Sequence, residues 1–183
     1  LSSCNNHPTT PTRSSVVASP YFNLGGFISG QIKQLQARQV EVEKTVTTLP
    51  NPPETKVLSK VNWAHELETF TQADINKPAL RAAYETSKTI TPDGQTKTVY
   101  RKLPGYRDAP IEYLEVSVSP TKQVTQIAGH YREDNYLVSS SKNFSLSCAP
   151  VNGQNQITAY QISGTQKTIF FNPLRYQVQA KVR

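Results

Sequence analysis

The sequence contains no methionine and only one tryptophan, and its two cysteines, Cys4 and Cys148, stand far apart with no partner at ligand spacing. A zinc site needs paired Cys or Cys/His ligands within a few residues, so none is expected. No apolar stretch approaches the roughly 20 residues that a membrane-spanning helix requires. There is no Gly-rich loop followed by Lys-Ser/Thr to cradle phosphate, and no GxSxG elbow to present a nucleophile. Carboxylates are also scarce: thirteen acidic residues face twenty Lys and Arg. Without a methionine, residue 1 is not expected to be a translation start, and a signal peptide is expected upstream.

What is present is the length of one ordinary domain, 183 residues, with a formal charge of +7. A chain of this size can bury a real core without disulfides or metals. The positive balance permits attraction to polyanions, but the cations are scattered singly or in short pairs such as Arg101-Lys102. They form no basic run of the kind that marks a nucleic-acid arm, so no nucleic-acid partner is expected.

Leu1-Ser2-Ser3-Cys4 has the form of a lipobox, with an apolar residue three places before an obligatory Cys and small residues between. Asn5 to Pro20 follows, rich in Pro, Thr, Ser and Asn, a composition that cannot bury enough apolar surface to fold. Residues 1–19 are therefore read as a lipobox remnant and a flexible tether, and 20–183 as one domain. Cys4 is the expected lipidation site and a membrane the expected contact. The competing reading is a Cys4–Cys148 disulfide in an oxidising compartment. Alternation in Phe144-Ser145-Leu146-Ser147-Cys148 places Cys148 on the Phe144/Leu146 face, as a small core residue.

Ser19-Pro20 carries helix-start chemistry, and Leu24, Phe27, Ile28, Ile32 and Leu35 recur at helical spacing, which predicts a first helix over 20–38. Gly25, Gly26 and Gly30 predict close backbone packing or an irregular first turn. A strand is expected over 40–49. A second, carrying Val57, Ser59, Val61 and Trp63, follows the Pro50-Asn51-Pro52-Pro53 break. Asn62 is expected to cap a second helix that presents Trp63, Leu67, Phe70 and Ile75 and ends before Pro78. The rest reads as strands at 84–90, 96–103, 111–118, 124–132, 136–148, 156–163, 166–171 and 174–182. The fold expected is α+β: a curved antiparallel meander of about eight or more strands, a half-barrel or partial barrel, packed on two helices from the N-terminal half.

Taken as a set, Pro20-Tyr21-Phe22-Asn23-Leu24 with Ile32 and Leu35, Glu54-Thr55-Lys56, Asn62-Trp63 with Glu66-Leu67, Asp74-Ile75-Asn76-Lys77-Pro78, Tyr160-Gln161-Ile162 and Gln166-Lys167 resemble small envelope lipoproteins of Bacteroidetes type. The resemblance covers residues 20–182. It implies an outer-membrane lipoprotein anchored through Cys4, and it brings no activity to any residue. Asn5-Asn6-His7-Pro8 after the Cys does not choose between the periplasmic and the surface face.

No catalytic or metal residue is expected. His7, His65 and His130 are isolated, and Glu66-Glu68, Glu112-Glu115 and Glu133-Asp134 read as solvated charge rather than as paired acids across a cleft. The tyrosines in strand patterns, Tyr100, Tyr113, Tyr131, Tyr136, Tyr160 and Tyr176, are read as packing groups. The function expected is non-catalytic: an envelope protein that binds a hydrophobic ligand or a partner protein, with no cofactor. The alternatives are a structural subunit of an outer-membrane assembly and a hydrolase of cell-wall or carbohydrate material.

Overall fold

Asn23, not Ser19, starts the first helix. Its side chain accepts the Gly26 N–H at 2.9 Å, and helix α1 spans Leu24–Ala37, later and shorter than the 20–38 expected. The computed structural model describes residues 20–183, so Cys4, His7, the tether and Ser19 lie outside the described residues. Gly25 makes the close approach expected of it, whereas Gly30 has nothing within 4 Å of a Cβ position. A Cβ on Gly25 would sit 2.7 Å from the Asp74 carboxylate, so Gly lets α1 lie close to the segment after the next helices.

Two strands, β1 (Val42–Thr48) and β2 (Glu54–Leu58), form the first hairpin. The alternation Val57, Ser59, Val61, Trp63 does not continue as strand. The chain leaves β2 at Leu58, and Asn62 caps helix α2 (Trp63–Glu66) by accepting the His65 N–H at 3.2 Å. The long second helix is also corrected. The chain breaks at Leu67, resumes as α3 (Glu68–Gln72) and ends six residues before Pro78. Trp63, Leu67 and Phe70, at i, i+4 and i+7, still share one buried face across the break, and the buried Ala73 and Ile75 follow the end of α3.

Seven more strands follow: β3 (Tyr84–Ile90), β4 (Thr96–Lys102), β5 (Ile111–Val118), β6 (Val124–Asp134), β7 (Val138–Val151), β8 (Gln154–Thr168) and β9 (Leu174–Val182). All nine form one antiparallel open sheet in the order β2-β1-β9-β8-β7-β6-β5-β4-β3. Turn chemistry sets the hairpins. Asn152 and Gly153 both have positive φ, 51° and 77°, the two-residue turn that matches strand twist. Thr91-Pro92-Asp93-Gly94 closes with the Gly94 N–H on the Thr91 carbonyl at 2.9 Å. The sheet edges, β2 and β3, carry charged exposed side chains that discourage edge-to-edge pairing.

The expected separate strands at 156–163 and 166–171 are one continuous strand, β8. Gly164 is not a turn but a close approach, because a Cβ there would meet the Ser141 carbonyl at 2.7 Å and the Tyr176 hydroxyl at 2.9 Å. Residues 169–171 then form the turn into β9. Tyr136, expected within a strand, sits instead in the β6–β7 turn and is almost fully exposed.

The core joins one sheet face to the helices. Phe70 meets Phe144 and Tyr160 edge-on, at ring centroids 5.6 and 6.1 Å apart, and Tyr21 meets Tyr84 and Tyr100 at 5.7 and 5.5 Å. Phe144, Leu146 and Cys148 are buried in alternation, as the sequence implied. Each large apolar side chain taken out of water there contributes roughly 1.5–3 kcal/mol. No helix among the described residues is long and apolar enough to cross a membrane.

Candidate binding surface

Strand register lays the polar side chains of the opposite face out in rows. One row runs Arg101, Tyr113, His130, Asn143, Ser163, Gln177, Thr47 across seven strands, and the next runs Val99, Glu115, Ala128, Ser145, Gln161, Gln179, Thr45. No helix lies over these rows among the described residues. The period-two pattern explains why most are polar: on β4 to β8 each row residue stands one step along its strand from a buried one. Two shallow depressions mark the face. One of about 320 Å3 is lined by Thr47, Asn143, Ser163, Thr165, Arg175 and Gln177. The other, of about 380 Å3, includes Glu43, Ser145, Ser147, Gln161, Gln179 and Lys181.

Within the first row the groups touch in series. The Arg101 guanidinium lies 6.0 Å from the Tyr113 ring centre, Tyr113 lies nearly parallel to the His130 ring at 6.4 Å, and His130 Nδ1 is 2.8 Å from Asn143 Oδ1. His130 Nε2 faces the Ser141 hydroxyl at 3.4 Å. With Asn143 Oδ1 as acceptor, Nδ1 carries the proton and Nε2 is an acceptor toward Ser141, the polarity of a nucleophile, base and orienting group. The set lacks what acyl transfer needs next. β6 and β7 are paired on both sides, so the ladders engage their backbone N–H groups and no pair converges on Ser141 as an oxyanion site. The arrangement holds the imidazole in place at the surface, between Asn143 and Ser141. No motif announces this set, because Ser141 and Asn143 meet His130 only through hairpin register.

Glu66 departs from the solvated-charge expectation. Lys44 Nζ donates to both its carboxylate oxygens at 3.0 and 2.8 Å, and Tyr160 Oη donates at 2.6 Å, which ties α2 to β1 and β8. Burial by itself pushes the carboxyl up, but the Lys44 and Tyr160 hydrogen bonds and the Lys44 charge outweigh it and hold Glu66 below its ordinary value. Burial, and then the bond to Glu66, push the Tyr160 phenol well up. This is a structural clamp beneath the sheet.

Comparison with protein-family models, with curated proteins and with solved structures finds no match. The surface must therefore be read from its own chemistry. No group of three or more His, Cys, Asp or Glu side chains placed to hold a metal ion occurs among the described residues. His65 sits exposed on α2 with its Nδ1 3.6 Å from the Glu68 carboxylate. Glu112 and Glu115 pair with Lys102 and Lys97, each at 2.7 Å. Cys148 is buried, and that burial pushes its thiol up to about 12. Its supposed partner Cys4 lies outside the described residues.

Proposed function

We propose that this chain is a non-catalytic lipoprotein of the bacterial cell envelope, held at the outer membrane through Cys4, which binds a partner protein through the uncovered face of its sheet. In this reading the sheet curls as a partial barrel around the helices and leaves its other face as the working surface. One observation carries the proposal: a nine-strand sheet with a single helix-covered face presents neutral hydrogen-bonding side chains and an Arg101–Tyr113–His130 row on the other. Arg and Tyr are the residue types that most often anchor protein interfaces. Of the two occupants expected from the sequence, a protein is favoured over a hydrophobic ligand because both depressions are shallow and open and only about half of each lining is apolar, Leu49 and Tyr176 in one and Leu146, Ala159 and Ala180 in the other.

The test is site-specific photocrosslinking in the native host. A photoreactive residue at Gln161 or Gln179, both exposed on the open face, is expected to give a discrete heavier adduct, whereas one at Lys33 on α1 is expected to give none. Adducts absent from the open face, or equally abundant from Lys33, would sink the reading.

A further inference from the structure

Most of the large apolar side chains exposed among the described residues gather at one end of the sheet, whereas Ile90, 74% exposed, stands at the opposite end and Val57 on the edge strand β2. Phe170 is 87% exposed, Tyr136 84% and Phe171 73%, and Leu137, Ile169 and Leu174 are exposed beside them. They belong to two neighbouring hairpin tips, β6–β7 and β8–β9, and the Ile169 N–H donates to the Leu137 carbonyl at 3.2 Å, joining the tips. Leu49, exposed in the β1–β2 turn, lies at the same end because Thr48 pairs with Tyr176 and the Leu49 N–H donates to the Arg175 carbonyl at 3.0 Å. Nothing in the core needs these side chains.

We propose that these tips dip into the surface of an anionic lipid bilayer, the one that the lipid on Cys4 would occupy; this rests on the anchor reading above. The first argument is where the tether enters. Helix α1 starts beside Tyr84 and Tyr100, toward the tip end of their strands, and finishes beside Gln156, next to the β7–β8 turn at the other end. Its start therefore faces the tips. The residues from Asn5 to Pro20 reach roughly 50 Å when extended, at about 3.3 Å each. Crossing from β4 to the β8–β9 tip takes only about 20–25 Å at the usual strand spacing. The anchor and the tips can reach one membrane together.

The second argument is charge. Arg132, Lys142, Lys167 and Arg175 stand just behind the tips, against Glu133 and Asp134. Long cationic side chains behind an apolar point place their charges at the level of lipid headgroups while the apolar groups enter. The third is backbone satisfaction. Asn135 Oδ1 accepts the Leu137 and Val138 N–H groups at 3.0 and 2.9 Å, and the Phe171 N–H finds the Thr168 carbonyl at 3.1 Å. These tip donors can leave water without being orphaned.

The experiment uses the full 183-residue chain carrying Cys4→Ser, which cannot be acylated, and vesicles of phosphatidylethanolamine with phosphatidylglycerol. The chain is expected to co-sediment with them. Phe170→Ser with Phe171→Ser should weaken this by at least about tenfold, given the apolar area lost from the lipid. Both positions are outside the core, so an unchanged melting curve is expected. In Phe171→Trp the new emission should shift to the blue on vesicle addition, over a constant signal from the buried Trp63. Lys167→Glu with Arg175→Glu should weaken binding to anionic vesicles far more than to zwitterionic ones. The proposal is overturned if the Cys4→Ser chain does not partition, or if the double Ser variant partitions equally. It is also overturned if the chain self-associates through Phe170 and Phe171 without touching vesicles. The anchor is read separately, from the mass of the N-terminal peptide isolated from the host, so loss of either idea is visible without the other.

Discussion

Gln31 Oε1 accepts the backbone N–H of Ile157 at 2.8 Å while its Nε2 donates to the Asn155 carbonyl at 3.0 Å. The reason lies in β8. Ser147 pairs with Ala159 and Cys148 with Ile157, so Thr158 is an extra residue that interrupts the ladder. A buried glutamine on α1 satisfies the backbone that the bulge disturbs. Gln31→Leu would leave the Ile157 N–H buried without an acceptor and is expected to cost about 1–3 kcal/mol by urea unfolding. Gln34, whose buried amide nitrogen has no partner, is the control: Gln34→Leu is expected to change stability by less than about 1 kcal/mol.

Two glycines should respond oppositely to the same substitution. Gly129 lies under the Phe144 ring of the neighbouring strand, and a Cβ there would meet the Tyr113 carbonyl at 2.9 Å, a backbone atom that cannot swing away. Gly129→Ala is expected to destabilise by about 1–3 kcal/mol through overpacking. Gly30, in the middle of α1, has nothing within 4 Å of the same position. Gly30→Ala is expected to stabilise by about 0.5–1 kcal/mol, from lower unfolded-chain entropy and better helix propensity. Thermal melts of the two variants check both signs.

Much of the sheet was legible because its punctuation is chemical. β3, β5 and β9 run over the residues that alternation implied, since Pro, Gly and Asp at their ends leave the backbone few choices. The failures share one cause. Whether Gly164 ends a strand, whether Trp63 ends a strand or begins a helix, and whether Glu66 faces water all depend on what lies across the fold. The open-face row is of the same kind: His130, Ser141 and Asn143 are unremarkable in sequence, and register alone joins them. The apolar tips were hidden because Ile169-Phe170-Phe171 has strand composition, and exposure has no local signature.

Acid should loosen the Glu66 clamp. Its folded value lies below the ordinary 4.5, so the ionised form contributes stability that is fully present above 4.5 and is lost as pH falls through the lowered folded value. Glu66→Gln is expected to flatten that acid limb of the stability profile. Tyr160→Phe, which removes one of the bonds to the carboxylate, should cost about 1–3 kcal/mol at neutral pH. Urea midpoints measured from neutral pH down to pH values below the ordinary carboxylate range decide both.

The thiol of Cys148 should be inert in the folded chain. Burial raises it to about 12, so almost no thiolate exists at neutral pH and reagent access is closed. In the Cys4→Ser chain, a disulfide reagent is expected to find no reactive thiol until denaturant is added, and then one. Prompt reaction in the native state would mean that β7 opens far more easily than its pairing on both sides implies.

The seam between β1 and β9 also bears on how the protein is made. Val42 pairs with Val182, so the first hairpin cannot join the sheet until almost the whole chain is available. Contacts this distant in sequence make folding slow, and in the interval β8 and β1 both present unpaired edges. A chain threaded through an export channel from its N-terminus would emerge with its opening hairpin waiting for its closing strand. For a chain made in that order, the schedule of its emergence, as much as its core, would decide whether β1 meets β9 or the edge of another molecule.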